Sequence, residues 1–339
     1  MKILILSHKF SPFAGGIEVM SEELASYLFY SGHEIHVLTW TKEVEDDKQF
    51  PYKIIRNQGL FSILREHYWA DIIFENNPNL RLSWPAFFHH KPHLIVLHGQ
   101  ICRNDRSIGF QDKLKFQWLK LADKVLAVSD SLKEQTFIKA EVIHNFYRDN
   151  QFKVLNNTRK INSFVFLGRL VSVKGVDLAI RTIAKLIKLK PEFSDIELTI
   201  IGDGSMLQDL KKLVTDLELK ENVFFLGILK DNLLVKELNK HSYMLVPSSQ
   251  EPFGLVALEG MACGCLPIVS NIDGLPEAVG NAGFIVNEYS VDGFFDAIIC
   301  LKENPAFENE LRAKSKAHLE MHTKEFVCSK YKNVIEALI

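Results

Sequence analysis

Short apolar runs recur along the whole chain, each stopped by a glycine, a proline or a polar turn, with amphipathic stretches between them. The runs are continuous rather than alternating, the pattern of strands buried on both faces of a parallel sheet. In the first half they fall at residues 2–7, 34–39, 53–56, 70–74, 93–97, 123–129 (with its turn) and 141–143. Helical periodicity fills 17–30, 60–68, 80–88 (interrupted by Pro85) and 110–122. A polar, aperiodic stretch follows at 147–161, the composition of an interdomain linker. The alternation then restarts. Strands are predicted at 163–167, 196–201, 222–226, 243–246, 265–269 and 282–286, and helices at 176–188, 205–217, 255–263, 291–301, 305–321 and 324–338. Strands alternating with helices imply open parallel α/β sheets, in which ligands bind beyond the C-terminal ends of the strands.

The totals fit this picture and narrow it. A length of 339 residues suits two domains, and 47% hydrophobic with 24% charged residues is the balance of a water-soluble globular protein. A net charge of −2 gives no reason to expect a nucleic-acid partner. The five cysteines (Cys102, Cys263, Cys265, Cys300 and Cys328) are odd in number and scattered, and Cys263 and Cys265 stand too close for the usual zinc pairing. They read as reduced thiols of a cytoplasmic enzyme. The chain starts on a strand that runs into His8 and Lys9, unlike a signal peptide, and no apolar run approaches the ~20 residues of a membrane span.

The densest chemistry follows the run 243–246. Pro247 ends the run, a polar turn reaches Glu251, and Pro252, Phe253 and Gly254 lead into helix formers from Leu255 to Cys263. The first N–H groups of a helix are unpaired and carry partial positive charge, so an anion such as a phosphate can sit there. A carboxylate just outside that site, Glu251, is suited to accept hydroxyls. Glu259 lies about one turn into the helix, by a rise of ~1.5 Å per residue, within reach of a second set of hydroxyls such as those of a ribose. Its neighbours Ala257, Leu258, Met261 and Ala262 set it in apolar surroundings, where an unpaired Glu is rare.

Other loops carry further candidates. Gly15-Gly16 precedes the first helix and permits close backbone approach and positive φ. It lacks the dinucleotide-binding spacing, and the residues alone leave it open between a phosphate loop and a tight turn. His98 ends the run 93–97 and precedes Gly99, which places it at the sheet's ligand-binding rim. His89, His90 and His93 precede that strand and belong to its far end. Residues 101–124 hold Arg103, Arg106 and four lysines, with Phe110, Phe116 and Trp118. They read either as a solvated helix or as a basic, aromatic surface that docks on anionic lipid. Ser129 is placed to cap the next helix. Past the linker, Gly168-Arg169-Leu170 and Lys174-Gly175 put two cations on a strand-to-helix turn, suited to neutralising a diphosphate.

The block Glu251-Pro252-Phe253-Gly254-Leu255, continuing in Glu259-Gly260-Met261-Ala262-Cys263-Gly264, resembles that of the family 4 (group 1) retaining glycosyltransferases, departing only where Gly260 replaces the usual Ala. The likeness continues in Gly274-Leu275-Pro276-Glu277, in Gly168-Arg169…Lys174-Gly175, in Ser129 to Lys133 and, more weakly, over almost the whole chain. It implies the GT-B architecture: two facing Rossmann-like, doubly wound α/β domains with an interdomain cleft. Residues 1–146 would be the acceptor-binding domain, joined by a helix at about 323–339 that crosses back. Residues 147–161 would be the linker and 162–322 the nucleotide-sugar domain. The resemblance also implies roles. Arg169 and Lys174 would neutralise the leaving diphosphate, Glu251 would hold the sugar, and His98 would lie near it. Gly16, Phe253, Gly254, Leu255, Glu259, Gly202 and Leu229 would contact the donor, and Gly15, Arg103, Arg106 and Ser129 the acceptor side. The family has Pro-Asn-Gly where this chain has His144-Asn145-Phe146, so contacts from that turn do not carry over.

The expected activity is therefore retaining transfer of a sugar from a nucleotide diphosphate sugar, UDP-sugar before GDP-sugar, to an acceptor hydroxyl. The acceptor would be a glycan or a lipid-linked oligosaccharide of bacterial surface-polysaccharide assembly, met in the cytoplasm or at the inner face of its membrane. No metal or other cofactor is expected, since no Asp-x-Asp follows a strand and the cations are already in place. A nucleotide-sugar epimerase would need acid–base carboxylates that cannot be pointed to. A non-catalytic scaffold fits poorly with the intact set Arg169, Lys174, Glu251 and Glu259.

Overall fold

The computed structural model describes residues 1–12, 15–43, 49–56, 59–101, 108–136, 138–155 and 159–339. They form two compact units, Met1–Phe146 with Lys324–Ile339, and Tyr147–Thr323. Among the described residues no helix is long and apolar enough to cross a membrane.

The first unit is a parallel sheet of seven strands: β1 (Lys2–Ser7), β2 (Glu34–Thr39), β3 (Lys53–Arg56), β4 (Ile72–Asn76), β5 (His93–Leu97), β6 (Lys124–Ala127) and β7 (Glu141–Val142). Their spatial order is β3-β2-β1-β4-β5-β6-β7, so successive strands step outward in both directions from the β1–β4 pair. The continuous runs are what burial on both faces requires: Ile3 to Leu6, Ile72 to Phe74 and Leu94 to Leu97 are fully buried. The C-terminal helix Lys324–Glu336 completes this unit, burying Val327, Cys328, Tyr331 and Ile335. The Tyr331 ring meets Phe74 edge-on, with centroids 6.1 Å apart.

The second unit is a parallel sheet of six strands: β8 (Ser163–Leu167), β9 (Glu197–Ile201), β10 (Val223–Gly227), β11 (Tyr243–Val246), β12 (Leu266–Ser270) and β13 (Phe284–Val286). The order β10-β9-β8-β11-β12-β13 again reverses direction, here between β8 and β11. Helices Val176–Leu189 and Val291–Glu303 pack on it through Ile180, Ile183, Phe294 and Ile298. The observed α/β, doubly wound pair of Rossmann-like units is the fold class that the sequence predicts.

Several elements differ from the sequence reading, each for a local reason. The strand expected at 70–74 is Ile72–Asn76. Ala70 instead closes the helix Leu60–Trp69 by donating its N–H to Glu66 O at 3.2 Å, and the Lys91 ammonium binds the carbonyls of His67, Tyr68 and Ala70. The helix expected at 80–88 is one α-turn, Leu80–Ser83, followed by a 3-10 turn, Trp84–Phe88, because Pro85 removes an N–H donor. The helix from Phe110 stops at Leu119. A helix at Asp231–Leu238, with Leu234, Val235 and Leu238 buried, escaped the sequence reading. The described part of the expected linker is folded onto the second unit. Phe152 is buried, Leu155 N–H donates to Asn239 Oδ1 at 2.7 Å, and Asn239 Nδ2 donates to Lys153 O at 3.0 Å.

Candidate active site

In an open parallel sheet the ligand crevice lies where the strand order reverses. In the second unit that point is between β8 and β11, and the chain places its candidate chemistry on the two loops that leave it. Arg169 follows β8. Lys174 ends a 3-10 turn, Ser172–Lys174, before the helix Val176–Leu189. Glu251 follows β11. Ser249 N–H donates to Val173 O at 2.9 Å and ties the two loops together, while the buried Ser270 Oγ at the end of β12 donates to Ser248 O at 2.8 Å and steadies the second of them. Lys174 Nζ and Glu251 Oε2 thereby meet at 2.5 Å, with side chains 19% and 13% exposed. Glu251 is also fixed through its backbone, donating N–H to Asp273 Oδ2 (3.1 Å) and accepting from Gly274 N–H (3.1 Å). Arg169 is exposed, and its guanidinium has no hydrogen-bond or ion-pair partner among the described residues.

Gly254 starts the helix Leu255–Ala262, and no side chain caps that end. Its φ of +114° suits glycine, and a Cβ there would stand 2.7 Å from Leu275 Cδ2. In the first turn Ala257 N–H donates to Gly254 O at 2.9 Å, and the N–H groups of Leu255 and Val256 precede the first intrahelical acceptor. Phe253 is buried, with its ring 5.6 Å from that of His322, so its side chain supports the loop from below. Leu255 and Leu229 are partly exposed. Gly202 is a packing position, since a Cβ there would come within 1.9 Å of Gly168 O where β8 and β9 end together. That close backbone contact accounts for the glycine without a ligand.

Glu259 lies one turn into the helix, largely buried, and burial pushes its carboxyl up to about 7 while nearby Arg148 pulls the other way. Arg148 Nη2 stands 3.7 Å from Glu259 Oε1. Cys263 and Cys265 are buried, with thiols pushed up to about 12 by burial, which leaves them uncharged and inert.

The first unit has its own reversal point, between β1 and β4. Gly15 and Gly16 follow β1 and are exposed. Gly15 has an ordinary φ of −94° and Gly16 begins the helix Gly16–Tyr30, so the left-handed freedom anticipated for this pair is not used. Beside it a bonded chain joins three strand ends. His98 Nε2 donates to Asn76 Oδ1 (2.6 Å), Asn76 Nδ2 donates to Ser21 Oγ (2.5 Å), and Ser21 Oγ meets Ser7 Oγ (2.9 Å). His98 is buried, and burial lowers its pKa to about 4, so the ring is neutral at neutral pH. Ser129 is fully buried and its Oγ accepts from Leu132 N–H at 3.1 Å, a helix cap rather than an open acceptor contact. Phe146 is buried where the family has a glycine. Arg103 and Arg106 lie outside the described residues. In the segment 101–124, Trp118 points inward and donates Nε1–H to the buried Glu75 at 2.9 Å, which removes it from any lipid-facing surface, whereas Phe110, Lys113, Leu114 and Lys120 are exposed.

Sequence reasoning missed Asp273, Asn76 and Arg148. The Asp273-Gly274 pair is a turn signal and could have flagged the first. Nothing in the sequence pairs Asn76 with His98 or Arg148 with Glu259.

Two Rossmann-like units, one with a cation–carboxylate pair beside an uncapped helix N-terminus at its reversal point, define the GT-B class of glycosyltransferase. Residues 147–318 match the model of the glycosyl transferases group 1, and residues 14–147 that of Glycosyltransferase Family 4. The chain belongs to this family and is a glycosyltransferase. It is 27% identical to an uncharacterised glycosyltransferase of Methanocaldococcus jannaschii, over 93% of this chain and 87% of the relative. It is 25% identical to an N-acetyl-alpha-D-glucosaminyl L-malate synthase of Bacillus anthracis, over 95% and 94%. Among solved structures, Anabaena HepE in complex with UDP superposes with a TM-score of 0.83 at 18% identity, over 99% of this chain and 100% of that one. The lipopolysaccharide outer core galactosyltransferase WaaB in its apo form gives 0.73 at 18%, over 100% of both. These structures establish the shared fold.

Proposed function

We propose that the protein is a retaining transferase that moves a sugar from a nucleotide diphosphate sugar, UDP-sugar in preference to GDP-sugar, to an acceptor hydroxyl. One observation carries this reading: Lys174 and Glu251 lie 2.5 Å apart at the reversal point of the second sheet, at the loop that opens the uncapped helix Leu255–Ala262. Without donor, Glu251 stands in for an anion at Lys174. When the diphosphate arrives, Lys174 and the exposed Arg169 turn to its oxygens, the helix N-terminus faces the same charge, and Glu251 is released to hold hydroxyls of the transferred sugar. The leaving diphosphate is stabilised electrostatically, and a leaving phosphate oxygen takes the acceptor's proton as the acceptor attacks on the same face. With two cations and a helix end in place, no metal is needed for this step. Solved complexes of HepE with UDP and with UDP-glucose support the preference for a UDP-sugar.

The acceptor in this reading is a glycan or lipid-linked oligosaccharide of bacterial surface-polysaccharide assembly, met at the inner face of the cytoplasmic membrane. The exposed Phe110, Lys113 and Leu114 of the helix Phe110–Leu119, with Lys120 just past its end, would lie against anionic lipid. Sedimentation with phosphatidylglycerol vesicles should be lost in K113E/K120E, and equal sedimentation of both forms would remove the membrane contact. The donor reading is tested by thermal shift against UDP, GDP, ADP and their common sugars in EDTA. A ligand that binds only the native state raises the melting temperature. A shift with UDP and a UDP-sugar that persists in EDTA supports the proposal. A shift that EDTA abolishes removes the metal independence, and no shift with any nucleotide removes the donor assignment.

A further inference from the structure

Arg148 is held unusually firmly for a long side chain. Its carbonyl accepts from the N–H groups of Gln151 and Phe152, both at 2.9 Å, and so closes a tight turn. Its guanidinium lies over the ring of the buried Phe152, with Cζ 5.1 Å from the centroid. The preceding residue is pinned as well, with Tyr147 N–H donating to His322 O at 3.1 Å. From this base Arg148 Nη2 reaches to 3.7 Å from Glu259 Oε1. Among the described residues Arg148 is the one charged partner of that carboxylate. The nearby Cys263 thiol is uncharged, because burial pushes it up to about 12. A largely buried carboxylate with one lateral cation has its remaining lone pairs directed away from that cation, the arrangement needed to accept two neighbouring hydroxyls at once.

We propose that Arg148 is a positioning residue for donor binding, holding the Glu259 carboxylate so that it accepts the vicinal 2′- and 3′-hydroxyls of the donor's ribose. This rests on the donor reading above. Arg148 does not itself touch the nucleotide. It acts through Glu259, so its effect on affinity is confined to ligands that carry both hydroxyls.

The test is calorimetric titration of UDP and 2′,3′-dideoxy-UDP into the unsubstituted protein, R148A, R148Q and R148K. Hydrogen bonds to a charged acceptor are worth roughly tenfold to a hundredfold in binding, so the unsubstituted protein should prefer UDP over the dideoxy analogue by at least about tenfold. R148A and R148Q should lose that preference while binding the dideoxy analogue as before, and R148K should recover part of it. R148Q keeps the stem over Phe152, which guards against a folding defect in R148A. If folded R148Q keeps the full preference for UDP, or loses affinity for both ligands alike, the positioning role is overturned. If the unsubstituted protein binds no UDP, the donor reading falls and the proposal falls with it. UDP binding indifferent to the ribose hydroxyls overturns the proposal alone.

Discussion

Lys174→Ala and Glu251→Ala, separately and together, probe the centre of the site. Removing one charge-stabilising group from a preorganised site costs about a hundredfold in turnover, or about 2.7 kcal/mol. If the two groups acted independently, the double variant would lose about ten-thousandfold. The structure argues against independence, because Nζ and Oε2 are 2.5 Å apart and both side chains are mostly buried. The two groups hold one donor from adjacent positions, so with Lys174 gone the donor is placed less well and removing Glu251 afterwards forfeits less. Residues in direct contact couple by about 0.5–3 kcal/mol. A middle value of about 1.4 kcal/mol, one factor of ten, puts the double variant near a thousandfold loss. The assay is nucleotide release from the UDP-sugar that gives the largest melting shift, with water as acceptor so that acceptor identity does not enter. Strict multiplication of the two single losses would mean that the pair is incidental to catalysis. Near-normal turnover in both single variants would refute the site assignment altogether.

Other features give outcomes that are as direct. Gly254→Ala puts a side chain at a φ of +114° and a Cβ 2.7 Å from Leu275 Cδ2. Left-handed strain of about 1–2 kcal/mol and overpacking of about 1–3 kcal/mol should lower the melting temperature by several degrees, and differential scanning calorimetry showing no change would contradict the packing described. His98 has a folded-state pKa lowered to about 4 from 6.5 by burial, so its contribution to stability is fully present above pH 6.5 and is lost as pH falls toward 4. H98Q should flatten the decline in melting temperature between those values, and an unchanged slope would show that His98 does not drive it. Trp118→Phe removes the Nε1–H donor to the buried Glu75 and should cost about 1–3 kcal/mol in urea unfolding; a neutral result would mean that water replaces the indole.

The sheet was legible because its strands are buried on both faces: a continuous apolar run such as 93–97 has no second reading once helices flank it. The loop at Glu251 was legible for a related reason, since a proline, a glycine and a carboxylate stand together at a strand-to-helix junction. Contacts between residues distant in sequence were not legible. Lys174 and Glu251 could each be named, but not their pairing, which depends on Ser249 bonding to Val173 O. Asn76 is not legible because the apolar run places the strand at 70–74, two residues before its observed span Ile72–Asn76. Ala70 is as apolar as a strand residue, yet it closes a helix, and the shift carries Glu75 and Asn76 onto the rim. Arg148 sits in a stretch whose polarity reads as a loose connection, while Phe152 anchors it to the second unit.

The chain leaves the first unit at Phe146, builds the whole of the second, and returns at Lys324. The second unit is therefore an insertion within the first. A ribosome completes the seven strands of the first sheet long before it makes Val327, Cys328, Tyr331 and Ile335, the residues of the last helix that are buried in that unit. During synthesis the second unit, continuous in sequence, can close on itself while the first still waits for its final piece. A nascent chain arrested before Lys324 would carry a finished second unit and an unfinished first unit with an apolar surface open to chaperones.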